Sequence, residues 1–243
     1  MLVLGLDTTA RLGSVALVRD GNPVGILAGD PALTHAQRLP GDMLTLLGRH
    51  GFAAADVDVF AVAAGPGSFT GLRIGIAAVQ GLAFATRRPV VGISALEALA
   101  HASWQASAAG HPARLGVWMD AQREEVFTAV YERAEAEPGG LRVVEGPAVE
   151  PPMAAAGRWR EQPDVRPVAI VGDGALRYRR VIEDLLGPGV AVIDPPPMAA
   201  SVALLGWMRA RAGEAGLPHA IRPLYVRRPD AELARERAAT RTP

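Results

Sequence analysis

Residues able to do chemistry gather in a few short stretches. The sharpest is Gly65-Pro66-Gly67-Ser68-Phe69-Thr70-Gly71-Leu72-Arg73-Ile74-Gly75, which follows an apolar run and opens a long helical pattern. Such a turn can aim backbone N–H groups and the positive helix end at an anion. It can equally be a tight strand-to-helix turn in which glycine supplies unusual dihedrals. A dinucleotide site is the weaker fit, because the third glycine comes one residue late and the next strand ends at Ser94 rather than at an acid. Ser68 lacks the G-x-S-x-G frame of a hydrolase nucleophile. Asp7-Thr8-Thr9 sits where a first strand turns into a second, and reads as a phosphate turn or a capped hairpin turn. Asp120 and Glu125 flank the corresponding turn of the second half, and Val171-Gly172-Asp173-Gly174 precedes another helix.

Several chemistries are excluded outright. The 243 residues contain no Cys and no Lys, which removes disulfides, thiolate metal sites, a Walker-type lysine and a Schiff base. The five His form no metal-ligand spacing and there is no HExxH. The expectation is no catalytic centre and no metal. With 25 basic against 25 acidic residues, no global field draws the chain to nucleic acid. Met1 leads into an apolar run without a basic n-region, and no apolar stretch near 18 residues stands out, so a cytoplasmic protein without a membrane segment is expected.

The elements that must position these residues follow from periodicity. Strands are expected at 2–7, 13–19, 23–28, 57–64 and 89–93, with helices at about 34–50, 70–87 and 95–107. Pro40 should kink the first helix or delay its start. The second half repeats the order, with strands at 114–120, 124–132, 141–146, 168–173 and 190–194 and helices at about 151–160, 175–186 and 198–212. Tandem β-β-β-α-β-α-β-α units are the layout of the actin and sugar-kinase superfamily, in which two ribonuclease H-like domains of α/β type, mixed sheets flanked by helices, face each other. The expected division is residues 1–103 plus 198–226 as subdomain I, 104–197 as a smaller, degenerate subdomain II, and 227–243 as a tail with eight charged groups.

One helix is unusual. Between Gly71 and Ala85 only Arg73 and Gln80 are polar, where a surface helix should show a wider polar face. Gly71, Gly75, Ala78 and Ala85 form a line of small residues. It reads either as a fully buried central helix or, preferably, as one sandwiched between its own sheet and a partner subunit.

The GPGSFTGLRIG block resembles the TsaB family, the dimerisation subunits of the bacterial tRNA threonylcarbamoyladenosine modification complex. Further matches are Leu4–Leu17, His35-Ala36-Gln37-Arg38-Leu39-Pro40, Gly92–Ala100, Met119-Asp120-Ala121 leading into Glu125-Val126-Phe127, and Pro223-Leu224-Tyr225-Val226-Arg227, so the likeness covers residues 1–228. Gln122 and Phe127 depart from the Arg and Tyr usual in the family. The resemblance implies an actin-like fold without a complete active site. Asp7, Thr8 and Thr9 would then be a vestigial phosphate turn, and Ala95 and Leu99 would stand where the paralogue TsaD carries its metal-binding H-x-x-x-H pair.

The implied role is a non-catalytic scaffold. It pairs with TsaD in the complex that adds threonylcarbamoyl to the adenosine next to the anticodon of tRNAs reading ANN codons, with a TsaE-type ATPase as further partner. ATP would act at the interface with partners, the chain having no cofactor of its own; tRNA would be met only through the complex. The expected partner surface is Leu39, Met43, Leu47, Gly71, Ile74, Gly75, Ala78 and Leu82, packing as a four-helix bundle with TsaD or with a second copy. Arg177, Arg179 and Arg180 form the dense basic run that would reach tRNA at the edge of the assembly. The competing reading is a small-molecule kinase or ATPase that uses Asp7, Thr8 and the glycine turns around Mg-ATP.

Overall fold

The computed structural model describes residues 1–10, 12–107 and 112–226. The expected tail, 227–243, lies outside the described residues. The first half runs β1 (Leu2–Asp7), β2 (Ser14–Arg19), β3 (Asn22–Ala28), α1 (His35–Arg49), β4 (Val59–Gly65), α2 (Phe69–Thr86), β5 (Val90–Ser94) and α3 (Ala95–Ala106). The second half runs β6 (Arg114–Asp120), β7 (Val126–Arg133), β8 (Leu141–Glu150), α4 (Pro152–Glu161), β9 (Ala169–Val171), α5 (Asp173–Arg177), α6 (Arg179–Leu186), β10 (Ala191–Ile193) and α7 (Ala199–Arg211).

The strands form two sheets, ordered β3-β2-β1-β4-β5 and β8-β7-β6-β9-β10. These are one topology used twice: three antiparallel strands, then two added parallel to the first of them. The central strands are buried on both faces, which is why β1 and β4 read as continuous apolar runs. Three apolar cores result. One lies between the first sheet and α1 with α2, around Leu4, Phe60, Leu39 and Val79. A second fills the middle layer, where α3 and α7 lie between the sheets. A third, around Trp118 and Trp159, lies under α4 and α6. α7 comes back from the far end of the chain onto β1: a Cβ on Gly5 would fall 2.6 Å from the Ala199 carbonyl oxygen, so only glycine admits the helix there.

Two helices depart from expectation. α1 starts at His35 in spite of Pro40, because Thr34 and Gln37, six and three residues before the proline, close a reciprocal capping box. The helix expected over 175–186 is broken at Tyr178 (φ −109°, ψ 27°) into α5 and α6, where Arg177 turns to an ion pair with Asp120. A third correction concerns α2. Its 18 residues, with mean hydropathy 1.3, make it long and apolar enough by composition to cross a membrane, although no such stretch was expected; a third of it is buried in this fold.

Candidate functional site

β1 ends in the Asp7-Thr8-Thr9 turn, and the glycine turn after β4 is pressed directly against it. Asp7 Oδ1 accepts hydrogen bonds from the Thr9 amide at 2.8 Å and the Thr9 hydroxyl at 2.6 Å. The Thr8 hydroxyl donates to the Gly71 carbonyl at 2.8 Å, and the Ser68 amide donates to the Thr9 carbonyl at 3.0 Å. Ser68 then caps α2, its hydroxyl accepting from the Gly71 amide. Glycine is needed at this junction: a Cβ on Gly67 would sit 2.6 Å from Thr9 Cβ, and one on Gly75 would sit 2.2 Å from Thr8 Oγ1. The two turns thus satisfy and fill each other, and their outer sides at Thr9, Gly67 and Ser68 face the cleft between the two halves. Burial pushes the Asp7 carboxyl above the usual carboxylate range; its bonds to Thr9 and the charge of Arg38 pull the other way, and Asp173 across the cleft adds to the rise.

A clasp that sequence reasoning missed holds the same turn from the other side. Arg38 is a buried arginine on α1, its side chain 2% exposed, ion-paired with Asp42 one helical turn on and donating to the Leu12 carbonyl. His35 lies 3.0 Å from Arg38 through Nδ1 and 3.1 Å from the Ala10 carbonyl through Nε2. Burial first, and then the neighbouring Arg38 charge, lower the pKa of His35. The arginine fits because Gly29 is small: a Cβ there would lie 2.2 Å from Arg38 Cζ. An Arg beside Leu39 on the apolar face of an amphipathic helix, four residues before an Asp, was the available signal.

The corresponding groups of the second half are also engaged. Asp120 pairs with Arg177 at 2.7 Å and accepts from the Gln122 amide, while Asp173 Oδ1 accepts from the amides of Asp120 and Gly174, both at 2.9 Å. Gln122, Arg123 and Glu124 are left-handed in succession, with φ of 59°, 55° and 60°. Arg177 is therefore committed to its own lobe, whereas Arg179 and Arg180 are exposed. Ala95 and Leu99 are buried in α3 and offer no ligand atom. Among the described residues no three His, Cys, Asp or Glu side chains converge as a metal site.

Between the turns of the two halves opens a cleft of about 1080 Å³, lined by Thr9, His35, Phe69, Asp120, Phe127 and Tyr225 among others. Residues 216–226 run back to its mouth. Gly216 bridges to Val90, Gln80 donates to the Pro218 carbonyl, and the Leu224 amide donates to the Ala64 carbonyl.

α1 and α2 lie side by side over one face of the first sheet, as expected. The expected partner surface needs correction. Leu39, Met43 and Leu47 are 1–2% exposed and face their own sheet, and Gly71 and Gly75 face Thr8. Ile74, Ala78 and Leu82 are half-buried and pack against the same core; the exposed line of α2 is Arg73, Ala77, Gly81 and Phe84, the last 80% exposed, and α1 adds Leu44 at 57%.

Two sheets of one strand order, stacked through α3 and α7, define tandem α/β subdomains of ribonuclease H-like topology. A family model described as TsaD, tRNA N6-adenosine threonylcarbamoyltransferase, matches residues 21–158. The Escherichia coli K12 "tRNA threonylcarbamoyladenosine biosynthesis protein TsaB" is 36% identical over 135 residues, 56% of this chain and just over half (57%) of that protein. The Bacillus subtilis TsaB is 28% identical and aligned over 96% of both chains. Among solved structures, "YeaZ from Pseudomonas aeruginosa" superposes with TM-score 0.74 at 32% identity, covering 92% of this chain and 99% of that one. The chain belongs to the TsaB family, within the wider TsaD-like group.

Proposed function

We propose that this chain is the non-catalytic subunit that pairs with a TsaD-type paralogue, and that the pair, with a TsaE-type ATPase, adds threonylcarbamoyl to the adenosine next to the anticodon of tRNAs reading ANN codons. The observation that carries this reading is the mutual closure of the Asp7-Thr8-Thr9 and Gly65–Gly71 turns. A phosphate-transfer site needs donors and carboxylates held open toward the substrate; here they are spent on each other, and the Asp7 carboxyl is buried. The outward face of α2 supplies the pairing surface, because a side chain as large and exposed as Phe84 on a largely apolar helix is what a helical partner covers. The same face takes a second copy when the paralogue is absent. ATP belongs to the interface with the partners, and tRNA is met through the assembly.

The test compares the purified chain alone with the reconstituted complex. The chain alone is expected to show no ATP turnover and no threonylcarbamoyl transfer, and to bind tRNA weakly. A robust ATPase of the isolated chain that is abolished in Asp7→Ala overturns the reading in favour of a kinase or ATPase.

A further inference from the structure

We propose that the mouth of the cleft is a second docking site for the same paralogous partner, taking an extended partner segment that carries a large apolar side chain and a carboxylate one or two residues apart. The inference rests on the reading of α2 as the partner face.

Four large apolar side chains are exposed around this one opening: Leu33 at 45%, Phe69 at 47%, Leu224 at 48% and Tyr225 at 42%. They come from three separate stretches of chain, so no single element's amphipathicity accounts for them. Scattered exposed apolar residues are ordinary, whereas their convergence on a cavity marks a binding surface. Phe69 and Tyr225 stack with ring centroids 5.6 Å apart, and the Arg73 guanidinium lies 3.8 Å from the centroid of Phe69. Arg38, Arg158 and Arg209 all have carboxylate partners, but Arg73 has no ion pair among the described residues. An exposed guanidinium fixed over an aromatic ring at an apolar rim keeps its N–H donors for a carboxylate brought by the occupant.

Backbone groups point the same way. The Leu224 amide makes the one main-chain hydrogen bond of residues 222–226 among the described residues, which leaves Tyr225 and Val226 able to pair with an extended segment. Continuity identifies the occupant: Arg73 lines the cleft and also stands on the exposed line of α2 with Ala77 and Phe84, so a partner lying on that line reaches this mouth.

The test uses the full chain in complex with its paralogue, with benzoylphenylalanine placed at Phe69, at Tyr225 and, as a reference on α2, at Phe84. Irradiation from positions 69 and 225 is expected to capture one common stretch of the paralogue containing Asp or Glu, distinct from the stretch captured from position 84. Arg73→Glu is expected to weaken the complex at least tenfold and reduce its sensitivity to salt, and Arg73→Gln to do so less. Capture from position 84 alone overturns the cleft proposal and leaves the α2 reading standing. No capture from any position overturns both. Capture of RNA from position 225, or unchanged affinity of Arg73→Glu, also overturns the cleft proposal.

Discussion

His101 on α3 and Ser201 on α7 share a hydrogen bond of 2.8 Å in the middle layer, joining the helices that separate the two sheets. Burial, reinforced by the Arg133 charge, lowers the His101 pKa from 6.5 to about 4, so the folded protein holds this imidazole neutral. In the window between those values the unfolded chain binds the extra proton. Stability is therefore complete above about pH 6.5 and declines as pH falls toward 4, by on the order of 3 kcal/mol in all. The raised Asp7 carboxyl works in the opposite sense, so the comparison is with His101→Gln. Urea unfolding at pH 7.5 and pH 4.5 should show a smaller drop for the variant than for the parent, and equal drops would dissociate His101 from the effect.

Removing Arg38 leaves the Leu12 carbonyl, His35 and Asp42 without their common partner. Arg38→Ala is expected to cost about 3 kcal/mol, the usual scale for breaking a buried charge network. In a chain of this length that lowers Tm by roughly 10 °C. A melting curve within 2 °C of the parent, on the order of the error in such a shift, would show that the clasp holds nothing.

Two glycines of α2 should respond in opposite directions. A Cβ on Gly75 would strike Thr8 Oγ1 at 2.2 Å, whereas Gly81 has nothing within 4 Å of where its Cβ would go. Gly81→Ala is expected to stabilise the chain by about 0.5–1 kcal/mol through helix propensity. Gly75→Ala should destabilise it by more than about 1 kcal/mol, because the Asp7 turn must shift. Denaturant midpoints of the two variants decide the matter, and a shift of the same sign in both would contradict the packing of the turns.

Met43→Glu and Ala78→Glu should separate stability from assembly. Met43 is 2% exposed against its own sheet, so a carboxylate there is expected to unfold the chain. Ala78 is half-buried beside the exposed line of α2; its variant should fold, yet bind the paralogue at least a hundredfold more weakly, about 3 kcal/mol. Sedimentation of each variant with the paralogue reads both effects, and normal assembly of a folded Ala78→Glu would remove α2 from the interface.

Much of the fold was legible because the central strands are continuous apolar runs bounded by turn residues and α1 carries its apolar residues on one face. The site was legible in composition but not in orientation. Periodicity puts Leu39, Met43 and Leu47 on one face of α1, yet it does not say whether a sheet or another chain covers that face. Gly71 and Gly75 likewise announce a close approach without naming what approaches, and the answer is Thr8, far away in sequence. Arg38 was harder still, since its burial depends on Gly13 and Gly29, which flank the β2–β3 hairpin and bond to each other outside α1. The break at Tyr178 leaves no mark in the hydrophobic pattern; it accompanies the Arg177–Asp120 pair.

The return of α7 onto β1 bears on how the protein is made. The first strand leaves the ribosome early and waits, its Gly5 surface bare, until the helix at 199–211 has emerged, because Ala199 and Ala203 are what cover it. The second sheet, drawn entirely from residues 114–193, has no such wait. Synthesis should thus finish the later half first and seal the earlier half last. Protease challenge of stalled chains ending before and after α7 would register that order as protection appearing in the second sheet ahead of the first.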